Sequence, residues 1–292
     1  MEWRQFVMNL DSIEPDLVEE VLLRHGAQSV TLSDAGDEPV LEPAHGTTPL
    51  WSDTRMTALF TADSDFDDLR ADLEASLAID RLPQNRIEAL ADREWEREWL
   101  KDFRPMHFGE RLWVCPNDLP VDADDAVVVR LDPGLAFGTG THVTTAMCLE
   151  WLDENDLTGK TLFDFGCGSG ILAIAALKLG ARLVNAVDND PQAVTATLQN
   201  AENNDVDDRL VTTMHVDRIG KPFDFVVANI LAGTLIEFAT LICDCVKPGG
   251  RLALSGILAD QVPSVIGAYQ HCIELAAPEL RDNWARLSGT KT

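Results

Sequence analysis

The sequence lacks the features that mark secreted, membrane and metal-scaffold proteins. The N-terminus, Met-Glu-Trp-Arg-Gln-Phe, has neither a basic start nor an apolar run, so we predict no secretory signal. The longest uncharged apolar stretch, from Gly166 to Leu177, is too short to span a bilayer. The cysteines form no Cys-x-x-Cys pair, and no histidine flanks Cys243 and Cys245 at metal-ligand spacing. We therefore expect a cytoplasmic protein with free thiols, no metal and no membrane association.

Lysine is also scarce, with six residues, and the formal net charge is −26. A surface this acidic repels a phosphate backbone, and no local basic patch is visible, so we expect no direct nucleic-acid binding. The acidity has two interpretations: adaptation of the protein to a salty cytoplasm, or attraction of a basic protein substrate. We favour the first, because net charge governs solubility before it governs the choice of partner.

The length of 292 residues, with 46% apolar and 25% charged residues, favours two globular domains. Hydrophobic periodicity in the first ninety or so residues predicts the order β-α-β-β-α-β of a ferredoxin-like domain. The predicted strands cover residues 3–10, 28–32, 55–60 and 86–90, and the predicted helices cover 15–24 and 66–77. Gly26 is the expected left-handed residue after the first helix.

A charged helix with Trp95, Trp99 and Phe103 on one stripe follows and stops at Pro105. Beyond it, strands alternate with helices, which predicts a mostly parallel sheet with helices on both faces. The predicted domains are residues 1–91, a helical linker over 92–105, and an α/β domain over 106–292. In the last of these, predicted strands cover 161–165, 183–187, 225–228 and 251–255, and predicted helices cover 144–153, 171–179, 191–203 and 235–243.

A glycine-rich turn joins the first of these strands to its helix, in the run Asp164-Phe-Gly166-Cys-Gly168-Ser-Gly170. Glycines allow a tight turn and bring bare backbone N–H groups against a ligand at the positive end of the helix. Dinucleotide and flavin sites use the same device, so the loop alone is weak evidence. Asp164, however, would repel a pyrophosphate and can hold an ammonium. This favours S-adenosylmethionine, which carries an α-amino group and no phosphate.

Two later strands end in polar residues that suit the same ligand. Asp188 follows the strand 183–187, where a carboxylate can accept both hydroxyls of a ribose. Asn229 stands at the tip of the next strand, and the turn Lys247-Pro-Gly-Gly250 completes the series. Each residue also has a simpler interpretation, because Asp188 can cap the helix opened by Pro191 and Asn229 can shape a turn. Their combined order favours a methyltransferase site over a dinucleotide site.

With these downstream partners, the run from Asp164 to Gly170 resembles a class I methyltransferase. The segment Leu131-Asp-Pro-Gly-Leu-Ala-Phe-Gly-Thr-Gly-Thr-His142, followed by Thr144 and Thr145, is more specific and resembles the PrmA family. So do the Trp-Glu-Arg-Glu-Trp run at residues 95–99 and the run Asn229-Ile-Leu-Ala-Gly233. The resemblance covers essentially the whole chain. Val143, where that family more often has proline, is a mild departure.

The resemblance implies a Rossmann-like class I domain with a mostly parallel seven-stranded sheet, preceded by a domain that recognises the substrate. It implies methyl transfer from S-adenosylmethionine, which leaves S-adenosylhomocysteine, to lysine or N-terminal amines. The implied substrate is protein eleven of the large ribosomal subunit, free or on the ribosome, and we expect the enzyme to act as a monomer. Thr145, Gly166, Asp188 and Asn229 match the cofactor-contacting positions of the family.

The loop from Phe137 to His142 is the remaining candidate element, and we count Phe137, Asp164 and Gly168 among the cofactor-binding residues. The loop either closes over the cofactor, with its glycines as hinges, or is a static turn capped by Thr141. For His142 a packing or loop-anchoring role is favoured over that of a general base, because a neutral amine needs no strong base.

Asn229 is the predicted catalytic residue, placed beside the reacting nitrogen. Ile230 and Leu231 follow it, and an aliphatic wall suits a flexible alkylamine better than a flat base. The alternatives are a nucleic-acid methyltransferase, a nicotinamide-dependent oxidoreductase and a non-catalytic cofactor-binding regulator. The first predicts a basic face and the second a loop without Asp164, while only turnover separates the third from an enzyme.

Overall fold

The computed structural model of the protein describes residues 3–36, 51–90, 104–116, 119, 125–131, 140–216, 220 and 222–292. The chain divides into two compact units, Met1–Trp95 and Glu96–Thr292. Nearly all of the predicted linker, with Trp95, Trp99 and Phe103, lies outside the described residues. The domain boundaries drawn around that linker therefore stay predictions.

The first unit consists of an antiparallel sheet and two helices. Its elements are β1 (Trp3–Asn9), α1 (Pro15–Arg24), β2 (Ser29–Asp34), β3 (Thr54–Thr61), α2 (Phe66–Leu77) and β4 (Asn85–Leu90). The strands are ordered β2-β3-β1-β4, and each neighbouring pair is antiparallel. This is the predicted ferredoxin-like arrangement, and both helices have the predicted bounds.

Local chemistry explains why these two helices could be delimited from sequence. Pro15 begins α1, where its missing N–H costs no intrahelical bond, and Gly26 follows the helix at a φ of +88°. The Asp65 carboxylate caps α2 by accepting the backbone N–H groups of the next turn, at 3.0 and 3.1 Å. The apolar stripe of each helix is buried in one core with the sheet.

The second unit contains two sheets and six α-helices among the described residues. Its elements are β5 (Met106–Phe108), β6 (Leu112–Pro116), β7 (Val127–Leu131), α3 (Val143–Asp153), β8 (Thr161–Phe165), α4 (Ile171–Lys178), β9 (Leu183–Val187), α5 (Pro191–Asn203), β10 (Leu210–Thr213), β11 (Phe223–Asn229), α6 (Ala232–Glu237), α7 (Ala239–Cys245), β12 (Val246–Leu258), α8 (Val262–Tyr269), β13 (Ile273–Leu275), β14 (Glu279–Arg281) and β15 (Trp284–Lys291).

The main sheet is mostly parallel, as predicted. Seven strands lie in the order β10-β9-β8-β11-β12-β15-β13, and the short β14 pairs with β15 as an eighth. The pairs from β10 to β12 are parallel, whereas β15 runs antiparallel to both of its neighbours in this row. The separate small sheet β5-β6-β7 was not predicted.

Successive residues of the central strands face opposite cores, which makes the unit three layers. Leu162 of β8 packs in the same core as α3, α4 and α5, whereas the adjacent Phe163 packs in the core formed with α6, α7 and α8. Strands buried on both faces read as continuous apolar runs, and this is why β8, β9 and β11 were recognisable in the sequence. Parallel pairing then brings the carboxyl ends of these three strands to one edge of the sheet.

One predicted helix and the predicted state of two thiols are wrong for this unit. The single helix predicted over 235–243 is instead two helices that meet at Phe238, whose ring lies 5.5 Å from that of Phe165. The expectation of free thiols fails for Cys243 and Cys272, which form a disulfide across 29 residues of chain. The other four cysteines are buried and outside any disulfide. None of the helices that the structure describes has the length and apolarity needed to cross a membrane.

Candidate functional site

The predicted site residues meet at the carboxyl edge of the parallel sheet. The glycine loop follows β8, Asp188 follows β9, and Asn229 is the last residue of β11. These strands are neighbours in the order β9-β8-β11. Ligands of open α/β sheets bind at such an edge, where the helices change from one face to the other.

The loop conformation requires glycine at specific positions. Gly166, Gly168 and Gly170 have φ values of +82°, +55° and +81°, a region that side chains rarely occupy. A Cβ on Gly166 would also overlap Cγ2 of Ile230, and a Cβ on Gly170 would lie 2.8 Å from Cγ2 of Thr197. The spacing of the glycines therefore reflects close packing as well as a tight turn.

The expectation of bare loop amides is wrong for most of the loop. The N–H groups of Gly166 and Cys167 donate to the Val187 carbonyl, at 2.8 and 3.1 Å, and that of Gly170 donates to Cys167 at 2.8 Å. The Gly168 N–H donates to Asp188 Oδ2 at 2.9 Å. A diphosphate needs such donors for itself, so a loop that has already used them suits a ligand without phosphate.

Two side chains of helix α5, which were not predicted as site residues, donate hydrogen bonds to carbonyls of the glycine loop. Thr197 Oγ1 donates to the Gly168 carbonyl at 3.0 Å, and Asn200 Nδ2 donates to the Ser169 carbonyl at 2.9 Å. Both side chains are at most 2% exposed. Polar residues at i and i+3 on the buried face of a helix were the available signal, because buried polar groups are normally hydrogen-bonded.

Asp164 is fully buried, and only one of its two carboxylate oxygens accepts a hydrogen bond from the described residues. Its Oδ2 accepts the Ala173 N–H at 3.1 Å in the first turn of α4, while Oδ1 has no hydrogen-bond partner among the described residues. Burial, together with the negative charge of Asp188, raises the pKa of Asp164 to about 7. An unpaired buried carboxylate oxygen is costly unless a ligand supplies the donor. This oxygen therefore fits the ammonium of the predicted cofactor.

The raised pKa predicts that folding stability depends on pH. The folded pKa lies above the unfolded value, so the protonated carboxyl stabilises the fold at low pH. This contribution is lost as pH rises from about 4 to about 7. Relative to Asp164→Asn, the ligand-free wild type should lose up to about 4 kcal/mol of unfolding free energy between pH 4 and 8. Urea denaturation of both proteins across this range measures the difference; parallel stability curves would contradict the assignment.

Asp188 lies half-buried beside the loop and is already oriented. Its Oδ2 accepts the Gly168 N–H, and its Oδ1 accepts the Asp190 N–H at 3.0 Å. Asp188 was also a candidate cap for the helix that begins at Pro191. That cap is Asp190, which accepts the Gln192 N–H at 2.8 Å. Each Asp188 oxygen keeps a further lone pair, so the carboxylate can still accept hydroxyl groups.

Asn229 faces the first turn of α3. Its Nδ2 donates to Oγ1 of Thr145 at 3.1 Å, and Thr145 is 2% exposed. A buried partner for the amide nitrogen fixes the side-chain orientation and leaves Oδ1 as the group that can accept a hydrogen bond from a ligand. The structure thus brings together two residues that lie 84 positions apart in the chain.

Ile230 is held between two glycines, one on each side. Its side chain lies over Gly166, and its backbone lies against Gly256, which has a φ of +80° at an irregularity in β12. A Cβ on Gly256 would overlap the Ile230 carbonyl oxygen and lie 2.8 Å from its carbon. Gly256 was not predicted as part of the site, although a glycine inside a strand is the usual signal for close backbone approach.

The predicted loop from Phe137 to His142 is described only at its end, and Phe137 lies outside the described residues. His142, rather than Thr141, caps α3: its Nδ1 lies 2.7 Å from Thr144 Oγ1 and accepts the Thr144 N–H. Its ring meets that of Trp284 edge-on at 4.9 Å. These contacts agree with an anchoring role for His142.

The turn at Lys247 does not join the site. The Lys247 ammonium donates to Asp224 Oδ1 at 2.9 Å, and Asp224 Oδ2 accepts from the backbone and hydroxyl of Thr161. Thr161 begins β8, so this cluster lies at the amino edge of the sheet. Burial alone would raise the pKa of Asp224, but these hydrogen bonds lower it to about 2.

Comparison with known families agrees with the resemblance seen in the sequence. Residues 2–292 match the family model described as ribosomal protein L11 methyltransferase (PrmA). A ribosomal protein L11 methyltransferase of Azotobacter vinelandii is 49% identical over 292 residues, covering 100% of both chains. One of Methylococcus capsulatus is 48% identical over 290 residues and covers 99% of each chain.

A solved structure gives the same result for the fold. The crystal structure of a ribosomal protein L11 methylase from Lactobacillus delbrueckii subsp. bulgaricus superposes with a TM-score of 0.61 at 30% identity. The match covers 65% of this chain and 100% of that one.

Proposed function

Because the chain belongs to the ribosomal protein L11 methyltransferase (PrmA) family, we propose that it methylates lysine side-chain and/or N-terminal amines of L11. The methyl donor of this enzyme class is S-adenosylmethionine, which supplies an electrophilic methyl group on a cationic sulfur. The observation that carries the proposal is the buried Oδ1 of Asp164, which has no hydrogen-bond partner in the described part of the chain and lies beside a loop whose amides are mostly engaged. That combination suits a cationic, phosphate-free ligand.

Three residues hold the cofactor in this proposal. Asp164 would hold the α-ammonium, because an adjacent positive charge favours the ionised carboxylate. Asp188 accepts the ribose hydroxyls on the lone pairs that Gly168 and Asp190 leave unused. At Gly166, where a Cβ would overlap Ile230 Cγ2, the bare backbone would lie against the amino-acid portion of the cofactor.

Asn229 orients the acceptor amine. With Nδ2 bound to Thr145, its Oδ1 accepts an N–H bond from the amine and turns the nitrogen lone pair toward the methyl group. Alignment of this kind can supply on the order of 7–11 kcal/mol of barrier reduction, so positioning accounts for much of the catalysis.

The amine must arrive without its proton, although a lysine has a pKa of about 10.4 in water. The aliphatic side chains of Ile230 and Leu231 adjoin Asn229, and an apolar surrounding disfavours the ammonium. Leu231 is 54% exposed and thus available to the alkyl chain of a substrate lysine. The proton leaves to solvent before transfer, so no strong base is needed at the site.

The net charge of −26 bears on one class of partner. A surface this acidic repels free RNA. We propose that a single chain acts on L11, free or on the ribosome, without direct nucleic-acid contacts.

Incubation with isotopically labelled S-adenosylmethionine and a bacterial ribosomal extract tests this function. We expect label on L11, located by mass spectrometry on lysine or N-terminal amines, and far less label with Asn229→Ala over the same time. Label on RNA alone would reject the proposal. Binding of the cofactor without transfer to any component would instead identify a silent binder.

A further inference from the structure

A second cluster of reactive side chains lies on α7 and the turn before β13. Sγ of Cys243, a ring nitrogen of His271 and Sγ of Cys272 all lie within 4.8 Å of one another. Cys243 belongs to α7, and Cys272 directly precedes β13. None of the three residues takes part in the proposed methyl transfer.

The ligand set is that of a soft divalent metal. Two thiolates and an imidazole bind Zn²⁺ at about 2.3 Å and about 2.0 Å, and they then lie about 3.5–4 Å from one another. That spacing falls within the 4.8 Å of the cluster. The two thiolates neutralise the ion, and a Cys₂His set leaves a fourth position for water.

Burial around the cluster suits both retention and entry of an ion. Cys243 is 3% exposed, Cys272 is half-buried and His271 is exposed. An ion can therefore reach the imidazole from solvent and settle against the buried thiolate. The strongly negative net charge raises the local concentration of cations at the surface.

The backbone of each cysteine is anchored by a different element. The Cys272 N–H donates to the Tyr269 carbonyl at 3.0 Å, and the buried Tyr269 hydroxyl donates to the Leu235 carbonyl at 2.8 Å. Lys291 Nζ donates to the Cys243 carbonyl at 2.9 Å. These contacts hold the ligands near one another before a metal arrives, which lowers the entropy lost on binding.

We propose that Cys243, His271 and Cys272 form a zinc site in the reduced protein, and that the disulfide is its oxidised, metal-free state. Oxidation by hydrogen peroxide removes two electrons from the thiolates and forms the S–S bond. The peroxide takes up these electrons and two protons to give two waters, and the zinc ion is released. A disulfide sulfur no longer carries the thiolate charge that binds the metal.

Competition with a chromophoric chelator tests the site in the full-length protein, after reduction and removal of metal. We expect one equivalent of Zn²⁺ to bind. Cys272→Ser and His271→Ala should each weaken binding by more than the roughly 10–100-fold that losing an outer-shell partner costs. Cys245→Ser and His215→Ala serve as matched controls and should bind like wild type. Thermal unfolding shows whether each variant is folded.

Peroxide treatment provides the second arm. We expect the oxidised wild type to bind no zinc. We expect Co²⁺ added to the reduced wild type to give thiolate-to-metal charge-transfer absorption, and Cys272→Ser to lack this absorption. Absence of binding in the reduced wild type, or equal binding by the variants and controls, would overturn the proposal. So would a disulfide that persists in excess reductant. Metal binding needs no methyl transfer, so this result is independent of the L11 assay.

Discussion

We expect Asn229→Ala to lower kcat for L11 methylation by about 10²-fold or more, because a misdirected amine nitrogen loses the alignment that in-line transfer requires. Affinity for S-adenosylmethionine should change far less, since Asp164 and Asp188 hold the cofactor. Single-turnover methylation and calorimetric titration of the cofactor separate the two effects. Turnover equal to that of wild type would remove Asn229 from the mechanism.

The Thr145 hydroxyl provides the matched control for this prediction. Thr145→Ser keeps the oxygen that accepts from Asn229 Nδ2, whereas Thr145→Val removes it with little change in volume. We expect Thr145→Ser to retain most of the activity and Thr145→Val to lose a large part of kcat. If the two variants were equally active, the hydrogen bond would not be what orients Asn229.

Gly256→Ala should have the second large effect. Its Cβ would overlap the backbone of Ile230, which cannot rotate aside as a side chain can, so the Asn229–Ile230 segment must shift. A displacement of about 1 Å at the acceptor can cost on the order of 10² in rate. We therefore expect a large loss of kcat, measured in the L11 assay, from a residue that never touches the substrate.

Gly249→Ala isolates the contribution of backbone strain. Gly249 also has a positive φ, +72°, but a Cβ there would meet nothing within 4 Å. The control should lose about 1 kcal/mol of stability and keep normal turnover. Normal turnover in Gly256→Ala as well would mean that contact with Gly256 does not position Ile230.

The sequence was most informative where local signals agree. The bounds of α2 follow from the Asp65 cap and the apolar stripe, and β8 and β9 follow from buried runs that end at a glycine or an acid. By contrast, no glycine or proline signals the break between α6 and α7 in the sequence. The break is accompanied instead by a tertiary contact, that of the Phe238 ring with Phe165.

What the sequence missed depends on contacts between distant segments. Cys243 and Cys272 are joined across 29 residues of chain, whereas spacing rules for metal ligands consider neighbours in the chain. Likewise, Thr197 and Asn200 reach the loop from the buried face of a later helix. Lys247 shows the converse error, since it was grouped with the site by order in the chain yet lies at the opposite edge.

A crystal structure with S-adenosylhomocysteine tests most directly whether this edge of the sheet is a nucleoside site. We predict the product over Gly166, its ammonium paired with Asp164 Oδ1 and its ribose hydroxyls on Asp188. An empty crevice at saturating ligand, or a dinucleotide bound there with its diphosphate against the glycine loop, would contradict the account.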